Sequence, residues 1–425
     1  GFTGTPDVMG QDNTLDAPGW GFILGSQDPN IRYKAAENGW LTKATNLTSP
    51  FVQNDTRDLG IRTALELSQD FKIQLDIKKS TTSTFQEIFR YDPSISDYAE
   101  LSPSRSGSYR ISTIAIGTTF ENNESLSSTV FKQFEQNIAI MQQRFSAATG
   151  NGYEKKSQDV LIPAFIAAYT GQDPKKVGLT PFPSTPLPNW RLDYTGLTKV
   201  GFLKDAFQSI SITHAYSSTY SVANFTNSLE YTNVTNNIPL SDYNNGIFAS
   251  QKNSQGELIP VYVISQVMMS EQFQPLFGIS VRTKSKLTAR PEYKTKRDLS
   301  LNVSNAKITE VNARDWSLEV GFIKNNMKMP WKSQGRTITL KNEINFRLNV
   351  SITNNLTIQR KIEEVNTITN GNMNIQVRPN VSYTINSKLN IQFYVDSNVN
   401  EPYVSNSYPR STTRVGFKVL FNLSQ

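Results

Sequence analysis

Residues 344–352, INFRLNVSI, carry the period that decides the fold. Ile344, Phe346, Leu348, Val350 and Ile352 alternate with Asn345, Arg347, Asn349 and Ser351. A period of two puts the first set on one face of an extended strand and the second set on the other. Downstream the rhythm continues through Met373, Ile375, Val377, Val381, Tyr383 and Ile385, then Leu389, Ile391, Phe393 and Val395. It closes on Val415, Phe417, Val419, Phe421 and Leu423. Upstream it runs back through Trp316–Phe322, Leu299–Val303, Phe277–Val281, Val261–Val263 and Ile210–Tyr216. With the hairpin described next, the pattern predicts roughly 13 to 15 strands, mostly about 9–14 residues long, joined by Asn, Gly and Ser turns.

Further towards the N-terminus the texture changes. Residues 1–58 read as a loop-rich segment punctuated by Gly, Pro, Asp and Asn. Residues 59–117 read as strands: Leu59, Ile61, Leu65 and Leu67 share one face, and Phe71, Ile73, Leu75 and Ile77 follow across a hairpin at Gln69-Asp70. A third strand fits 108–117, with a bulge or a wrong period where the apolar face changes at Ile114. Residues 118–189 form an insertion. Phe131, Phe134, Ile138, Met141 and Phe145 give an amphipathic helix over roughly 125–148. A second, more apolar helix spans Gln158–Thr170, with Pro163 in its first turns and a stop at Gly171. Four prolines between 181 and 188 make a stiff connector that cannot donate a normal ladder of hydrogen bonds. Residues 190–425 are strands to the end.

Composition removes whole classes of function. The 425 residues include no Cys and one His, which excludes a disulfide framework, a cysteine nucleophile and a multi-histidine metal centre within the chain. Charged residues make up 19%, below the usual quarter, and Asn, Ser and Thr take their place. This is not the composition of a cytosolic metabolic enzyme. The opening GFTGTPDVMG lacks the basic and apolar regions of a signal peptide, so the sequence reads as a mature chain or a piece of one. The most apolar helix-like stretch, LIPAFIAAY, is too short to cross a bilayer as a helix. Barrel strands need only about 9–11 alternating residues, so a transmembrane barrel stays open. The net charge of +7 is mild and dispersed. KTKR at 294–297 reads as a solvated turn, and no nucleic-acid partner is expected.

Strands flowing into one another for this length without a linker, polar on one face and apolar on the other, suit a membrane wall. A bilayer tolerates sheets only when closed, so the expected fold is all-β and part of a large transmembrane antiparallel barrel. A soluble all-β protein remains open on these grounds.

The stretch PFPSTPLPNWRLDYTGLTKVGFLKDAFQSISITHAYSSTYSVANF, residues 181–225, resembles the corresponding block of the SprA/Sov family, the outer-membrane translocon of the Bacteroidota type 9 secretion system. The likeness lies in the proline run, Asn189-Trp190-Arg191, Tyr194-Thr195-Gly196-Leu197, Phe202, Phe207, and His214 followed by Tyr216 to Val222. Residues 12–43 and 152–171 are also similar to the family. The resemblance implies a C-terminal portion of a very large barrel of about 36 strands. It also implies a bacterial outer-membrane location, export of folded cargo proteins to the cell surface, and support of gliding motility. The implied partners are the rest of the same barrel polypeptide, a PorV-like shuttle barrel, a periplasmic plug protein, secreted cargo and membrane lipid. The insertion is expected to project into the lumen or periplasm. Many outer-membrane barrels end on an aromatic residue, whereas here Phe421 stands four residues before Gln425. The competing readings are a self-contained porin or transporter of roughly 14 strands, in which first and last strands pair, and a soluble surface adhesin.

No catalytic, cofactor-binding or metal-ligating residue is expected. His214 sits on a strand face with Ile212 and Tyr216 and reads as structural, and no triad can be assembled around it with Ser217 or Ser218. Asp7, Asp12 and Asp16 with Gly10 do not match a calcium loop. Lys78-Lys79 and Glu363-Glu364 read as strand-end or loop charges, and the sequons at Asn46 and Asn54 as chance. Trp190, Trp316 and Trp331 are candidates for aromatic girdles.

Overall fold

The computed structural model describes residues 24–26, 28–121, 126–228, 252–256, 258–333, 335–386, 388–404 and 407–421. The chain is all-β with a helical insertion. Its strands are β1 (Phe51–Ser68), β2 (Phe71–Asp92), β3 (Asp97–Ser112), β4 (Asn189–Tyr194), β5 (Phe207–Asn227), β6 (Tyr262–Thr283) and β7 (Leu287–Asn302). They continue as β8 (Lys307–Lys324), β9 (Met327–Ser333), β10 (Arg336–Leu340), β11 (Ile344–Lys361), β12 (Thr367–Asn386), β13 (Leu389–Pro402) and β14 (Arg410–Phe421). One antiparallel sheet takes the order β1-β2-β3-β5-β6-β7-β8-β11-β12-β13-β14, with β4 between β2 and β5; β9 and β10 pair separately.

β3 and β4 occupy a single strand position. The ladder of β2 pairs Lys79–Asp92 with β3 and Phe71–Asp76 with β4. β5 likewise meets β3 through Thr219–Thr226 and β4 through Ile212–Tyr216. At the break, Lys78 N donates to Ser112 Oγ at 3.1 Å, and Ser218 N donates to the Asn189 side-chain oxygen at 2.8 Å. Side chains thus satisfy donors that the interrupted ladder leaves over. The chain leaves the sheet after Ser112, so Ile114 and Ile116 do not continue a strand; the change of face there marks an exit, not a bulge.

The excursion carries α2 (Thr129–Thr149) and α3 (Gln158–Thr170); α1 (Ile31–Glu37) precedes β1, and α4 (Gly201–Ala206) precedes β5. α2 starts where Ser128 Oγ accepts from Phe131 N at 3.2 Å, and ends at Gly150 with φ 72°. α3 ends the same way at Gly171, also φ 72°, a left-handed conformation that glycine adopts without strain. All but the first residue of α3 are buried, which explains its apolar character all round. It lies in one core with α2 and with Tyr109, Ile111, Tyr220, Val222, Val267, Met269, Leu299, Leu301 and Ile308 from the sheet.

Boundaries differ from the sequence reading in one systematic way. β1 begins at Phe51, before the expected 59, and most strands of the sheet exceed 14 residues. Their distal halves lack clean alternation, because there the apolar face gives way to buried polar groups and packing against helices. α1 and α4 fall in stretches too short to show a helical period.

Candidate functional site

The pairing register sorts every strand residue onto one of two faces, since directly opposed residues share a face. One rung reads Leu287, Phe322, Phe346, Val381, Phe393 and Phe417 across β7, β8, β11, β12, β13 and β14. Another reads Tyr293, Trp316, Ile352, Ile375 and Val399. On the other flank, Ile61 opposes Ile77, Ile73 opposes Leu192, and Tyr194, Ile212 and Ile279 follow in line. These rungs form one apolar belt running from β1 to β14. Much of it is uncovered: Phe417 is 65% exposed and Trp316 49%. From Ile344 to Ile352 the belt occupies roughly 27 Å of strand at about 3.4 Å per residue.

The belt has an upper border. Trp316 stacks on Tyr293 with ring centroids 4.2 Å apart and meets Phe277 edge-on at 5.5 Å. On β8 the next residues of the same face are Arg314, Asn312 and Glu310. Beyond this border the same face is roofed by the helices. Glu271 and Arg297 form a buried pair at 2.8 Å; Arg297 also donates to Thr118 O at 3.0 Å and Thr118 Oγ1 at 2.9 Å, while Tyr216 donates to Glu271 at 2.7 Å. Arg360 and Glu310, both fully buried, meet at 2.7 Å, with Asn312 donating to Glu310 at 3.0 Å. Burial raises the Tyr169 phenol above its ordinary range and lowers the Arg144 guanidinium. At the β1–β3 end α1 covers the same face, with Arg32 paired to Glu87. The insertion packs against the face that carries the apolar belt, beyond the belt's border. Helical period reveals which residues are apolar, but not which side of a sheet they cover.

The opposite face is predominantly polar, with Met268, Tyr394 and Leu420 among its exceptions. Thr288, Gly321, Arg347, Asn380, Tyr394 and Gly416 form one of its rungs. Short hydrogen-bonding side chains cover it, as in Ser270 to Asp298 at 2.6 Å and Gln272 to Ser217 at 3.0 Å.

The sheet's two outer strands each present an unpaired edge, since β1 pairs only with β2 and β14 only with β13 among the described residues. Both edges bear uncovered apolar side chains, Leu59, Ile61, Leu65 and Leu67 on β1 and Val415, Phe417, Val419 and Phe421 on β14.

His214 Nδ1 lies 2.6 Å from Leu276 O, and its ring packs near Phe273, so no serine is its partner. KTKR 294–297 is not a turn but the middle of β7: Lys294 and Lys296 pair with Glu292 and Asp298 on the polar face, and Arg297 points to the other. Lys78 and Lys79 also lie within a strand, Lys79 donating to Ser184 O at 2.9 Å. Glu363 and Glu364 occupy the β11–β12 turn. Asn46 is exposed in a loop, and Asn54 accepts from Thr84 at 2.9 Å within β1. Asp7, Asp12 and Asp16 lie outside the described residues; among those described, no group of three acidic or histidine side chains could hold a metal ion. Trp190 stacks on Tyr216 at 4.4 Å, and Trp331 belongs to the separate β9–β10 pair. Sequence reasoning missed the three buried ion pairs, Arg32–Glu87, Arg297–Glu271 and Arg360–Glu310. Their signal was present: Glu310, Arg297 and Arg360 stand where the apolar face calls for hydrophobic residues. No family model matches the chain, and no curated protein matches it either.

Proposed function

We propose that this chain is a wall segment of a large outer-membrane barrel that conducts folded proteins to the cell surface. The observation that carries the reading is one sheet whose faces are apolar and predominantly polar across its full width and whose two edges are unpaired. Backbone groups left open in hydrocarbon cost several kcal/mol each, so such edges call for further strands.

Strand direction sharpens this argument. The sheet has eleven strand positions, all antiparallel to their neighbours. β1 and β14, at the first and eleventh positions, therefore run the same way and could meet only as a parallel pair. Bacterial single-chain barrels are antiparallel with even strand numbers, so a self-contained porin is disfavoured. The resemblance to the SprA/Sov family points the same way, for a barrel of about 36 strands leaves an odd number to be supplied. That many strands make a lumen wide enough for folded cargo, because diameter grows with strand number. In this reading the polar face lines the lumen and the belt meets lipid. The wall needs no chemistry of its own. Its partners are the rest of the barrel polypeptide, a PorV-like shuttle, a periplasmic plug and the cargo, and gliding motility follows from export of surface adhesins.

The chain has no cysteine of its own, so single cysteines test the faces cleanly. In native membranes, Asn349→Cys should react with a water-soluble maleimide and Val350→Cys should be protected. Equal reaction of both, in a protein that stays dispersed without detergent, would favour the soluble adhesin.

A further inference from the structure

The polar face is unevenly charged. Around β7 its charges are compensated in place: Arg290 and Lys294 hold Glu292, at 2.7 and 2.8 Å, and Lys296 holds Asp298 at 2.6 Å. Towards β14 that balance fails. Arg347, Arg378, Arg410, Arg414 and Lys418 share this face of β11–β14 with a single acid, Asp396. Arg378 takes Asp396 at 3.1 Å. Arg414 stands across from Asp396, but among the described residues neither the Arg410 nor the Arg414 guanidinium has a hydrogen-bonding or ionic partner.

These two arginines border a cavity of about 470 Å³ between β12, β13 and β14. Asn374 and Asn398 also line it, and the amide oxygen of each is buried without a partner. Arg410 and Arg414 lie on one face of one strand, four residues and so roughly 14 Å apart. A guanidinium binds a carboxylate through two parallel hydrogen bonds. The spacing matches carboxylates at i and i+4 on an extended polypeptide, whose amide N–H groups would supply the donors that the two asparagines lack. A small free oxyanion could engage one arginine and would leave both amides unsatisfied.

We infer that this trough binds acidic polypeptide segments, with carboxylates on Arg410 and Arg414 and backbone amides on Asn374 and Asn398. That the bound segment is cargo in transit rests on the proposed function; the binding itself does not. The test uses the full chain in its native membrane assembly, with a dye on Ser382→Cys, which lies on the same face. An extended glutamate-rich peptide with acids at i and i+4 should bind, and its amidated counterpart should bind at least about tenfold more weakly. Arg410→Gln with Arg414→Gln should weaken binding by about tenfold or more. Lys78→Gln, elsewhere on the polar face, should change it less than about twofold.

The inference is overturned if the two variants lose affinity equally, or if inorganic phosphate displaces the peptide at equal charge. Should the double variant fail to assemble, salt decides on the unmodified arginines: raising salt to about 0.3 M should weaken the acidic peptide severalfold, and no effect overturns the inference. Peptide binding together with water-accessible Val350→Cys would defeat the wall reading and leave the site standing. The reverse outcome would do the opposite.

Discussion

Phe346 and Asn345 are adjacent in sequence and look in opposite directions, one into the apolar belt and one onto the polar face. If lipid meets the belt, Phe346→Arg should cost about 2–4 kcal/mol near midplane, and Asn345→Lys much less. The fraction of each variant assembled in membranes measures this, and equal yields would contradict the assignment of faces. Gly107 makes a demand of another kind: a Cβ there would stand 2.1 Å from Thr82 O and 2.5 Å from the Phe225 ring. The ring can turn but the carbonyl cannot, so Gly107→Ala should lower stability by about 1–3 kcal/mol in denaturant titration. Tyr33 in α1 supplies a pH dependence. Burial, and after it a hydrogen bond to Glu100, push its phenol up to about 12 from the usual 10. A raised pKa favours the neutral folded form, so this contribution is complete below pH 10 and is lost as pH rises towards 12. Proteolytic protection of α1 should fall over that window, and Tyr33→Phe should reduce the dependence. Alternation made face assignment legible residue by residue. The partners of Arg297 and Arg360 were not legible, because Glu271 and Glu310 reach them from strands 26 and 50 residues away.

Among the elements, α2 was readable from its helical period and α3 from an apolar run with a glycine stop, and the observed spans Thr129–Thr149 and Gln158–Thr170 follow those signals closely. Their docking side was not readable, since it depends on which strand residues lie beneath them. Ser128 caps α2, and Ser128→Ala should cost about 1 kcal/mol, seen as earlier thermal release of the insertion to protease. The Arg360–Glu310 pair pins the insertion from below, with Arg360 also 3.4 Å from Leu126 O. Arg360→Met alone strands a buried carboxylate and should cost about 3–5 kcal/mol. Adding Glu310→Leu removes that unpaired charge and should recover most of the loss. A double variant no better than the single one would mean that the pair contributes through shape and not through charge.

At the scale of the whole molecule, the alternation foretold an antiparallel sheet of many strands, and the count of strand positions required the register. Unpaired β1 and β14 yield a direct prediction: cysteines placed at Arg62 and Lys418, both on the polar face, should not crosslink in the native assembly. Efficient crosslinking would indicate a small closed barrel and move the reading to a porin. The shared strand position of β3 and β4 has a further consequence, for the history and engineering of the chain. Ile111 opposes Lys79 and Asn189 opposes Asp76, so two residues separate the partners on β2. Ser112 and Thr113 fill the same interval on the other side, and Thr113 N already donates to Ser218 O at 3.1 Å. Ser112 opposes Thr219 and Trp190 opposes Tyr216, so β5 keeps the same step. Joining Thr113 directly to Asn189 would therefore leave one unbroken strand, in register with both neighbours and with every side chain on its present face. The helical unit is in this sense a cassette, acquired or discarded without re-threading the sheet, and its loss would bare the buried charges beneath it while sparing the ladder.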